Sequence, residues 1–293
     1  MIKITKCQIC KSNDLSQFLQ TKDYFFTDEY FTLSVCNNCN FVFTNPVPDI
    51  ESIGKYYGTE KYLSHDTNSN GILGNIYKTV RYFNLRGKYS LIKNFKTSGQ
   101  ILDIGCGTGE FLNFMKQKNW ETFGIEPEVK AKEFAINNYH LDIFPESKLN
   151  EFDKNKFDLI TMWHVLEHVY DLNERLGIIS DLLKNDGIFI NALPIIDSPD
   201  AKKFGNYWAG LDVPRHLHHF SYESFSQLAN NNGFKVIGSF PMKFDAYYVS
   251  YLSHQAKQNS MAFLRGLIDG LISNFTADKR RNYSSMIFVL GKS

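Results

Sequence analysis

The segment Ile101-Leu-Asp-Ile-Gly-Cys-Gly-Thr-Gly-Glu110 is the most informative part of the sequence about the fold. It begins as an apolar strand and runs into three glycines spaced two apart, after which a helical pattern starts. Glycines at the carboxyl end of a strand let a ligand approach the backbone, because side chains there would block it. The spacing is not the G-x-G-x-x-G pattern that places a pyrophosphate on a helix N-terminus. The stretch therefore predicts a ligand site at the carboxyl edge of a sheet.

From residue 98 onward, strand and helix patterns alternate. Strand patterns lie at 101–104, 122–125, 141–144, 157–162, 187–193, 235–240 and 286–290, and helical patterns at 110–118, 129–138 and 172–183. This alternation predicts an α/β fold with a doubly wound, Rossmann-like parallel sheet. Residues 49–95 have mostly helical periodicity, and a mainly helical insertion separates the last two strands.

Four of the five cysteines form two C-x2-C pairs near the start of the chain. This spacing is typical of a structural, tetrahedral zinc site, although the 25 residues between the pairs make a longer ribbon than usual. Two prolines, Pro46 and Pro48, then end the unit. We expect a zinc-ribbon-like unit whose zinc stabilises it; four buried thiols without a metal are the alternative. The predicted ligands are Cys7, Cys10, Cys36 and Cys39.

The segment Asp103-Ile-Gly-Cys-Gly-Thr-Gly109 resembles the first motif of the class I S-adenosylmethionine-dependent methyltransferases. A second landmark, Gly124-Ile-Glu-Pro127, ends the next strand, where that family has an acidic residue. The carboxylate of Glu126 can accept hydrogen bonds from both ribose hydroxyls. The resemblance covers roughly residues 80–240, and it implies a seven-stranded sheet and S-adenosylmethionine as cofactor.

The resemblance also implies where the cofactor lies. Asp103 is expected near the amino end of its methionine part, and the glycines along its chain. Cys106 is interpreted as a small packing residue within this loop. The predicted cofactor-binding residues are Asp103, Gly105, Cys106, Gly107, Gly109, Glu126, Pro127 and Trp163.

Three regions follow from these patterns. Residues 1–45 are predicted to be the zinc-ribbon-like domain and residues 46–97 a helical linker or lid. Residues 98–293 are predicted to form the methyltransferase domain, with the helical insertion at about 241–283. Tyr57, Tyr62 and His65 precede the lid helix and are expected to close over the pocket.

Five of the eight histidines fall within two short segments, 162–169 and 208–221. In the first, His164, Glu167 and His168 stand at i, i+3 and i+4, so that one helical turn would place them on a common face. The second segment contains Arg215, His216, His218 and His219. Packing does not explain this concentration, because packing favours apolar residues.

Three hypotheses compete for these histidines. In the first, His216 or His219 is a general base, because an imidazole titrates near neutral pH. In the second, His164, Glu167, His168 and a downstream histidine bind a divalent cation. This hypothesis draws on a resemblance to metal-dependent RNA 2′-O-methyltransferases, although His164 replaces the first acidic residue of that cluster. In the third, His168 only orients the loop. The predicted catalytic residues are His164, His216 and His219.

Two residues are predicted to contact the substrate. Arg215 can pair bidentately with a carboxylate or a phosphate, and a surface salt bridge is the alternative. Tyr247 offers a hydroxyl near the mouth of the same site, with ordinary helix packing as the alternative.

Charge balance bears on the substrate. The chain has 32 basic and 31 acidic residues, so nucleic acid is not expected as a partner. Aromatic residues make up 15% of the chain and can line a pocket for a sugar-like ligand. The four-cysteine unit ahead of the catalytic domain resembles bacterial methyltransferases that act on sugars and polysaccharides.

The predicted function is therefore methyl transfer to oxygen or carbon of a small-molecule acceptor, namely a sugar, a nucleotide-sugar or a polysaccharide component. A metal-assisted RNA 2′-O-methyltransferase and a non-catalytic cofactor-binding module are the alternatives. The sequence has no apolar leader-like region and no run long enough to span a bilayer. A cytoplasmic protein without membrane insertion is expected, with its cysteines reduced.

Overall fold

The structure, a computed structural model, describes residues 1–57, 72–278 and 281–293, and the side chains of its first long helix from residue 82 onward. The strands are β1 (Leu15–Lys22), β2 (Tyr30–Cys36), β3 (Val42–Thr44), β4 (Gly99–Ile104), β5 (Trp120–Ile125), β6 (Asp142–Phe144), β7 (Phe157–Trp163), β8 (Leu183–Pro194), β9 (His218–His219), β10 (Phe234–Pro241) and β11 (Ser285–Lys292). The α-helices are α1 (Ile72–Lys93), α2 (Glu110–Lys116), α3 (Val129–Tyr139), α4 (Leu172–Leu182), α5 (Pro199–Phe204), α6 (Tyr222–Asn231), α7 (Lys243–Ala256) and α8 (Ala262–Thr276).

The larger sheet has seven strands in the order β10-β11-β8-β7-β4-β5-β6. Strands β4 to β8 run parallel to one another, whereas β11 is antiparallel to both β8 and β10. The predicted doubly wound, seven-stranded α/β sheet is confirmed. Strand β8 begins at Leu183, earlier than predicted, because Leu183 already pairs with Phe157 ahead of a register shift.

Helices cover both faces of this sheet, which explains why its central strands are continuously apolar. On one face, Leu176 and Ile179 of α4 and Phe225 of α6 pack in a single buried cluster. On the other face, Ile92 of α1 and Leu112 of α2 belong to a second cluster. The sheet core is thus closed to water, and its carboxyl edge is where loops can form a site.

The smaller sheet joins the N-terminal unit to the second histidine segment. Its order is β1-β2-β3-β9, so the histidine segment adds a strand to the cysteine-containing unit. In this pairing Val42 faces His219 and Phe43 faces His218. The antiparallel sheet beside a cysteine cluster fits the predicted zinc-ribbon-like architecture, while the predicted domain boundaries stay predictions. Strand β9 was missed, because two adjacent histidines give no strand periodicity.

The helical segments around the site follow the predicted pattern in part. A short 3-10 helix (Ile53–Tyr56) and α1 lie in the predicted lid region, and Tyr62 and His65 fall outside the described residues. Helices α7 and α8 stand between β10 and β11. None of the described helices has both the length and the apolarity needed to cross a membrane.

A buried ion pair ties the N-terminal unit to the second histidine segment. The Arg215 guanidinium donates to the Asp23 carboxylate at 3.0 and 3.3 Å and to the Asp212 carboxylate at 2.7 and 3.0 Å. Its Nη1 also donates to the carbonyl of Tyr56 at 2.8 Å. All five N–H groups are therefore used. The salt bridge anticipated as the alternative is present, buried rather than at the surface, and no donor of Arg215 is left for the predicted contact with substrate.

The substitution Asp23→Ala tests this connection. It leaves the Arg215 guanidinium buried with one carboxylate instead of two, so we expect the free energy of unfolding to fall by about 3 kcal/mol. Urea unfolding followed by circular dichroism measures the loss. The control Asp186→Ala, which removes the exposed partner of Lys96, should leave the unfolding midpoint unchanged. Equal midpoints for all three proteins would contradict a stabilising role for the pair.

Candidate active site

The glycine loop follows β4 at the carboxyl edge of the sheet. Gly105, Gly107 and Gly109 have φ angles of 75°, 56° and 81°, a left-handed conformation that favours glycine. A Cβ atom added to Gly107 would meet no atom within 4 Å, so the loop is open at this point. One added to Gly109 would lie 2.8 Å from Ala135 Cβ. The loop is therefore closely packed at Gly109 and open at Gly107.

Glu126 closes the side of this loop. Its carboxylate accepts hydrogen bonds from the amide of Gly107 at 2.7 Å and from that of Glu128 at 2.9 Å. The side chain is largely buried, and burial raises the pKa of Glu126. Pro127 follows it and leads into α3. The sequence-predicted pair of loop and carboxylate is thus brought together by the parallel pairing of β4 with β5.

Asp103 lies near the end of β4 and accepts a hydrogen bond from the Thr161 hydroxyl at 2.6 Å. Burial raises the pKa of this carboxyl to about 7.

The ammonium of Lys88, on α1, lies 3.9 Å from the centre of the Trp163 ring. Burial lowers the pKa of Lys88 to about 8, while the negative charge of Asp103 opposes that shift. Lys88 was not predicted from the sequence as a site residue. Its spacing of three residues from both Leu85 and Leu91 could have indicated that it lies on the inward face of the helix.

Two predicted cofactor residues pack around this loop. Trp163 ends β7 and meets Phe111 edge-on, with ring centres 5.4 Å apart. Its indole Nε1 is buried and has no hydrogen-bond partner among the described residues. Cys106 is buried beneath the loop, where a Cβ on Gly124 would lie 2.7 Å from its Sγ. That geometry agrees with a small packing residue.

His164 sits directly after β7 between two carboxylates. Its Nε2 lies 3.0 Å from Asp245 Oδ2, and its Nδ1 lies 3.4 Å from Glu167 Oε1. Burial by itself would lower the pKa of His164, but the two carboxylates outweigh it and raise the pKa to about 10. The residue is therefore an imidazolium at neutral pH, which neither accepts a proton nor ligates a metal. This geometry favours a positioning role for His164 over the predicted catalytic one.

Glu167 is fully buried in the short 3-10 helix Leu166–His168. Burial would raise its pKa, yet the neighbouring histidines, His164 above all, hold the pKa below its usual value. Neither carboxylate oxygen accepts a hydrogen bond of normal geometry within the described parts of the chain. Because a buried charge without hydrogen bonds is costly, this carboxylate marks a functional position.

Two further histidines, His168 and His216, face Glu167. The Nδ1 atoms of His168 and His216 lie 2.9 Å from the carbonyl oxygens of Arg215 and Gly210, respectively. These contacts place the ring proton on Nδ1 and leave Nε2 with a free lone pair. Burial, followed by the proximity of His216, lowers the pKa of His168 to about 4. One ligand atom from each of Glu167, His168 and His216 lies within 4.8 Å of the others.

The remaining histidines of the second segment are placed in the smaller sheet. His218 Nε2 lies 2.9 Å from the carbonyl oxygen of Val169, and burial lowers the pKa of His218 to about 4. His219 Nε2 lies 3.1 Å from the Thr44 hydroxyl, and burial holds its pKa well below the usual value. The structure thus separates His219 from the group around Glu167, and its predicted catalytic role is not supported by this placement.

The four N-terminal cysteines come together as thiols. Cys7 Sγ lies 3.6 Å from Cys39 Sγ, and Cys10 Sγ lies 3.4 Å from Cys36 Sγ. None of them forms a disulfide. A zinc ion bound tetrahedrally at about 2.3 Å separates its sulfur ligands by about 3.8 Å, which is close to these distances.

Comparison with known proteins decides the family. Residues 78–238, more than half of the 293-residue chain, match the sequence profile of a methyltransferase domain. The chain belongs to this methyltransferase-domain family. The prediction of a methyltransferase is therefore confirmed at the level of the family.

Curated relatives align with part of the methyltransferase domain. A ubiquinone biosynthesis O-methyltransferase of Pelagibacter ubique is 32% identical over 118 residues, which are 39% of this chain and 48% of the relative. A human protein named mitochondrial arginine-hydroxylase is 31% identical over 111 residues, 36% of this chain and 30% of that protein. The alignments thus span less than half of these relatives' length.

Solved structures share the fold. Geranyl diphosphate C-methyltransferase from Streptomyces coelicolor superposes with a TM-score of 0.54 at 12% identity, covering 77% of this chain and 88% of that one. An S-adenosylmethionine-dependent methyltransferase from Archaeoglobus fulgidus gives 0.50 at 18% identity, covering 72% and 94%. At these identities the similarity concerns the fold of the methyltransferase domain alone.

The charge of His164 can be measured by histidine NMR as a function of pH. In the wild type we expect His164 to titrate near pH 10, because two carboxylates stabilise its cation. Asp245→Asn should lower that midpoint by at least about one pH unit, since one charge is lost. Asp181→Asn, which alters an exposed carboxylate paired with Lys154, is the control.

The ion pair between His164 and Asp245 should also affect the stability of the protein. Because the pKa of His164 is raised on folding, its contribution to the free energy of unfolding is fully present below about pH 6.5, the pKa of a free histidine. The contribution should decline as the pH rises and vanish above about 10. The difference in unfolding free energy between wild type and Asp245→Asn should therefore shrink over this range; a constant difference would contradict the assignment.

Proposed function

We propose that the protein transfers the methyl group of S-adenosylmethionine to a small-molecule acceptor, with His216 as the general base. The observation that carries the proposal is the meeting of two loops at one sheet edge. The glycine loop follows β4, and the segment with Glu167 and His168 follows the adjacent parallel strand β7. A Cβ on Gly105 would lie 2.5 Å from Val165 Cγ2, so the two loops are in direct contact.

The residues of the glycine loop fit this cofactor. A positively charged amino acid part would meet the carboxylate of Asp103, whose pKa is raised by burial and would be lowered by a further positive charge. Ribose hydroxyls would find the carboxylate of Glu126, which already lies at hydrogen-bond distance from the loop. The open space above Gly107 admits the ligand to the backbone. When bound, the cofactor supplies an activated methyl group on a sulfonium.

The chemistry at the acceptor needs one proton to be removed. The acceptor oxygen would attack the methyl carbon as the carbon–sulfur bond breaks, and the hydroxyl proton would pass to His216 Nε2. The hydrogen bond from His216 Nδ1 to the Gly210 carbonyl fixes the ring orientation. Glu167 Oε1, 3.9 Å from His216 Nε2, would stabilise the imidazolium that forms.

For the acceptor we keep the proposal of a sugar, a nucleotide-sugar or a polysaccharide component. It is supported by the resemblance carried by the four-cysteine unit and by the even charge balance of the chain. The names of the ubiquinone-biosynthesis relatives support a hydroxyl acceptor more broadly. Tyr247, partly buried on α7, remains the proposed source of a substrate contact.

Cofactor binding is tested with Glu126→Ala. Loss of the carboxylate should weaken S-adenosylmethionine binding at least tenfold, about 1.4 kcal/mol, because two charge-assisted hydrogen bonds disappear. Isothermal titration calorimetry measures the affinity. Glu121→Ala, at an exposed position of the same strand, is the matched control and should bind normally. An unchanged affinity of Glu126→Ala would refute the ribose assignment.

The base is tested with His216→Ala. We expect turnover to fall by about a hundredfold or more, while the affinity for S-adenosylmethionine stays unchanged. The assay follows S-adenosylhomocysteine release with a panel of nucleotide-linked deoxysugars and of phenols. His140→Asn, at the far end of α3, is the control. Wild-type turnover in His216→Ala would place the base elsewhere.

A divalent cation is the second candidate for the same group. Glu167, His168 and His216 offer two imidazoles and one carboxylate within a short distance, and the buried carboxylate has no hydrogen-bond donor among the described residues. Such a set suits a first-row transition metal that would acidify the acceptor hydroxyl. Loss of activity on chelation, with recovery on adding Mn²⁺, would favour this candidate; activity that survives chelation favours the base.

We also propose that Cys7, Cys10, Cys36 and Cys39 hold a structural zinc ion. The sulfur–sulfur distances of 3.4 and 3.6 Å support it, as does the reduced state of the thiols. Four thiolates leave no open coordination position, so this zinc would stabilise the unit without taking part in the reaction.

Removal of the zinc is tested with the double variant Cys7→Ser/Cys36→Ser. Metal analysis should find about one zinc per chain fewer than in the wild type. Because β3 of this unit pairs with β9, turnover should fall more than cofactor affinity does. Cys106→Ser, which changes the remaining cysteine, should keep the zinc. Equal zinc contents in the wild type and the double variant would contradict the site.

A further inference from the structure

Helix α8 has its polarity inverted relative to an ordinary surface helix. The side chains facing inward are small or polar and buried: Ala262, Gly266, Asp269, Gly270 and Ser273. The side chains facing outward are large, apolar and 42–81% exposed: Phe263, Leu264, Leu267, Ile268, Leu271, Ile272 and Phe275. A helix on the surface of a globular protein normally directs its apolar side toward the core. We call these seven residues the outer face of α8.

The inner side of α8 is built for close contact with α7. A Cβ on Gly266 would lie 2.6 Å from Tyr251 Cα, and one on Gly270 would lie 2.6 Å from Tyr247 Cα. Glycines at a spacing of four let two helix backbones approach closely, a mode of packing common among helices in membranes. The apolar side chains are thus not needed between α7 and α8, and they point outward instead.

The exposed charges on the α7–α8 hairpin itself are basic. Between residues 243 and 276 the exposed charged residues are Lys243, Lys257 and Arg265, and the exposed Asp278 follows the end of α8. The two acidic residues of this region are engaged elsewhere. Asp245 pairs with His164, and the buried Asp269 pairs with Lys203 and His254.

We propose that the outer face of α8 docks on an anionic lipid surface, with the helix lying in the plane of the membrane. A helix with large apolar residues on its outward side and basic residues nearby gains affinity both from burial in the lipid and from attraction to anionic headgroups. A second copy of the chain is the other occupant of this face that the experiment below distinguishes. The docking site stands independently of the proposed methyl transfer.

Docking would also orient the active site. Asp245 at the start of α7 contacts His164, so the hairpin of α7 and α8 is joined directly to the segment that carries Glu167. The membrane would then lie on the side of the molecule next to the hairpin. An acceptor carried in the lipid would be delivered to the protein at that side.

Vesicle co-sedimentation of the full chain tests the docking. We expect the protein to sediment with vesicles of phosphatidylcholine mixed with phosphatidylglycerol, and far less with phosphatidylcholine alone. The variant Leu264→Gln/Ile268→Gln should lower binding at least about tenfold, because two aliphatic side chains that would enter the lipid are lost. Val129→Gln/Ile136→Gln removes two apolar residues that are 55% and 38% exposed on α3, and it should bind like the wild type. Lys257→Gln/Arg265→Gln should weaken binding to the mixed vesicles only.

Three results would overturn the proposal. The first is a wild-type protein that does not sediment with the mixed vesicles, and the second is undiminished binding by Leu264→Gln/Ile268→Gln. The third is a wild-type dimer, seen by light scattering, that this variant converts to monomer, since the outer face would then bind a second copy. Calorimetry with S-adenosylmethionine, run on the same variants, reports separately on the proposed function.

Discussion

The buried guanidinium of Arg215 is the contact on which the arrangement of the site depends. The guanidinium joins Asp23 of the N-terminal unit to Asp212 in the segment after β8. The backbone carbonyl oxygen of Arg215 lies 2.9 Å from His168 Nδ1. A buried charge is tolerated only when its hydrogen-bonding groups are satisfied, and here all five N–H groups are used. The neighbouring His216 is held in place by the same segment. The N-terminal unit is therefore connected through this ion pair to the segment that contains His216.

The histidines show how position controls protonation. His164 lies between two carboxylates and carries a positive charge at neutral pH, whereas His168 and His218 are kept neutral by burial. Glu167 lies between these histidines, with the charged His164 on one side and the ring of His216 on the other. A neutral imidazole beside a buried carboxylate is suited either to accept a proton or to bind a cation. The fixed charge of His164 then supports the carboxylate without competing for the proton.

Helices α7 and α8 extend this arrangement to the surface. Their close packing depends on Gly266 and Gly270, which frees the large side chains of α8 to face outward. The insertion that separates β10 from β11 is therefore more than a spacer in the methyltransferase sheet. It contributes Asp245 to the His164 pair and an apolar surface to the exterior. If that surface meets lipid, the polar active site and the membrane are joined by one short helical hairpin.

The sheet, the glycine loop beside Glu126 and the two C-x2-C motifs could be predicted from the amino-acid sequence. These features depend on local patterns, namely strand periodicity, glycines that tolerate a left-handed backbone, and short ligand spacings. Which histidines share a site could not be predicted in this way and became visible in the folded chain. His216 and His219 are three residues apart, yet one faces Glu167 and the other bonds to Thr44 in a separate sheet. Likewise Arg215 had a free guanidinium in the sequence but meets Asp23, 192 residues away, in the fold. Burial and charge compensation between distant residues are properties of packing, and no spacing along the chain encodes them.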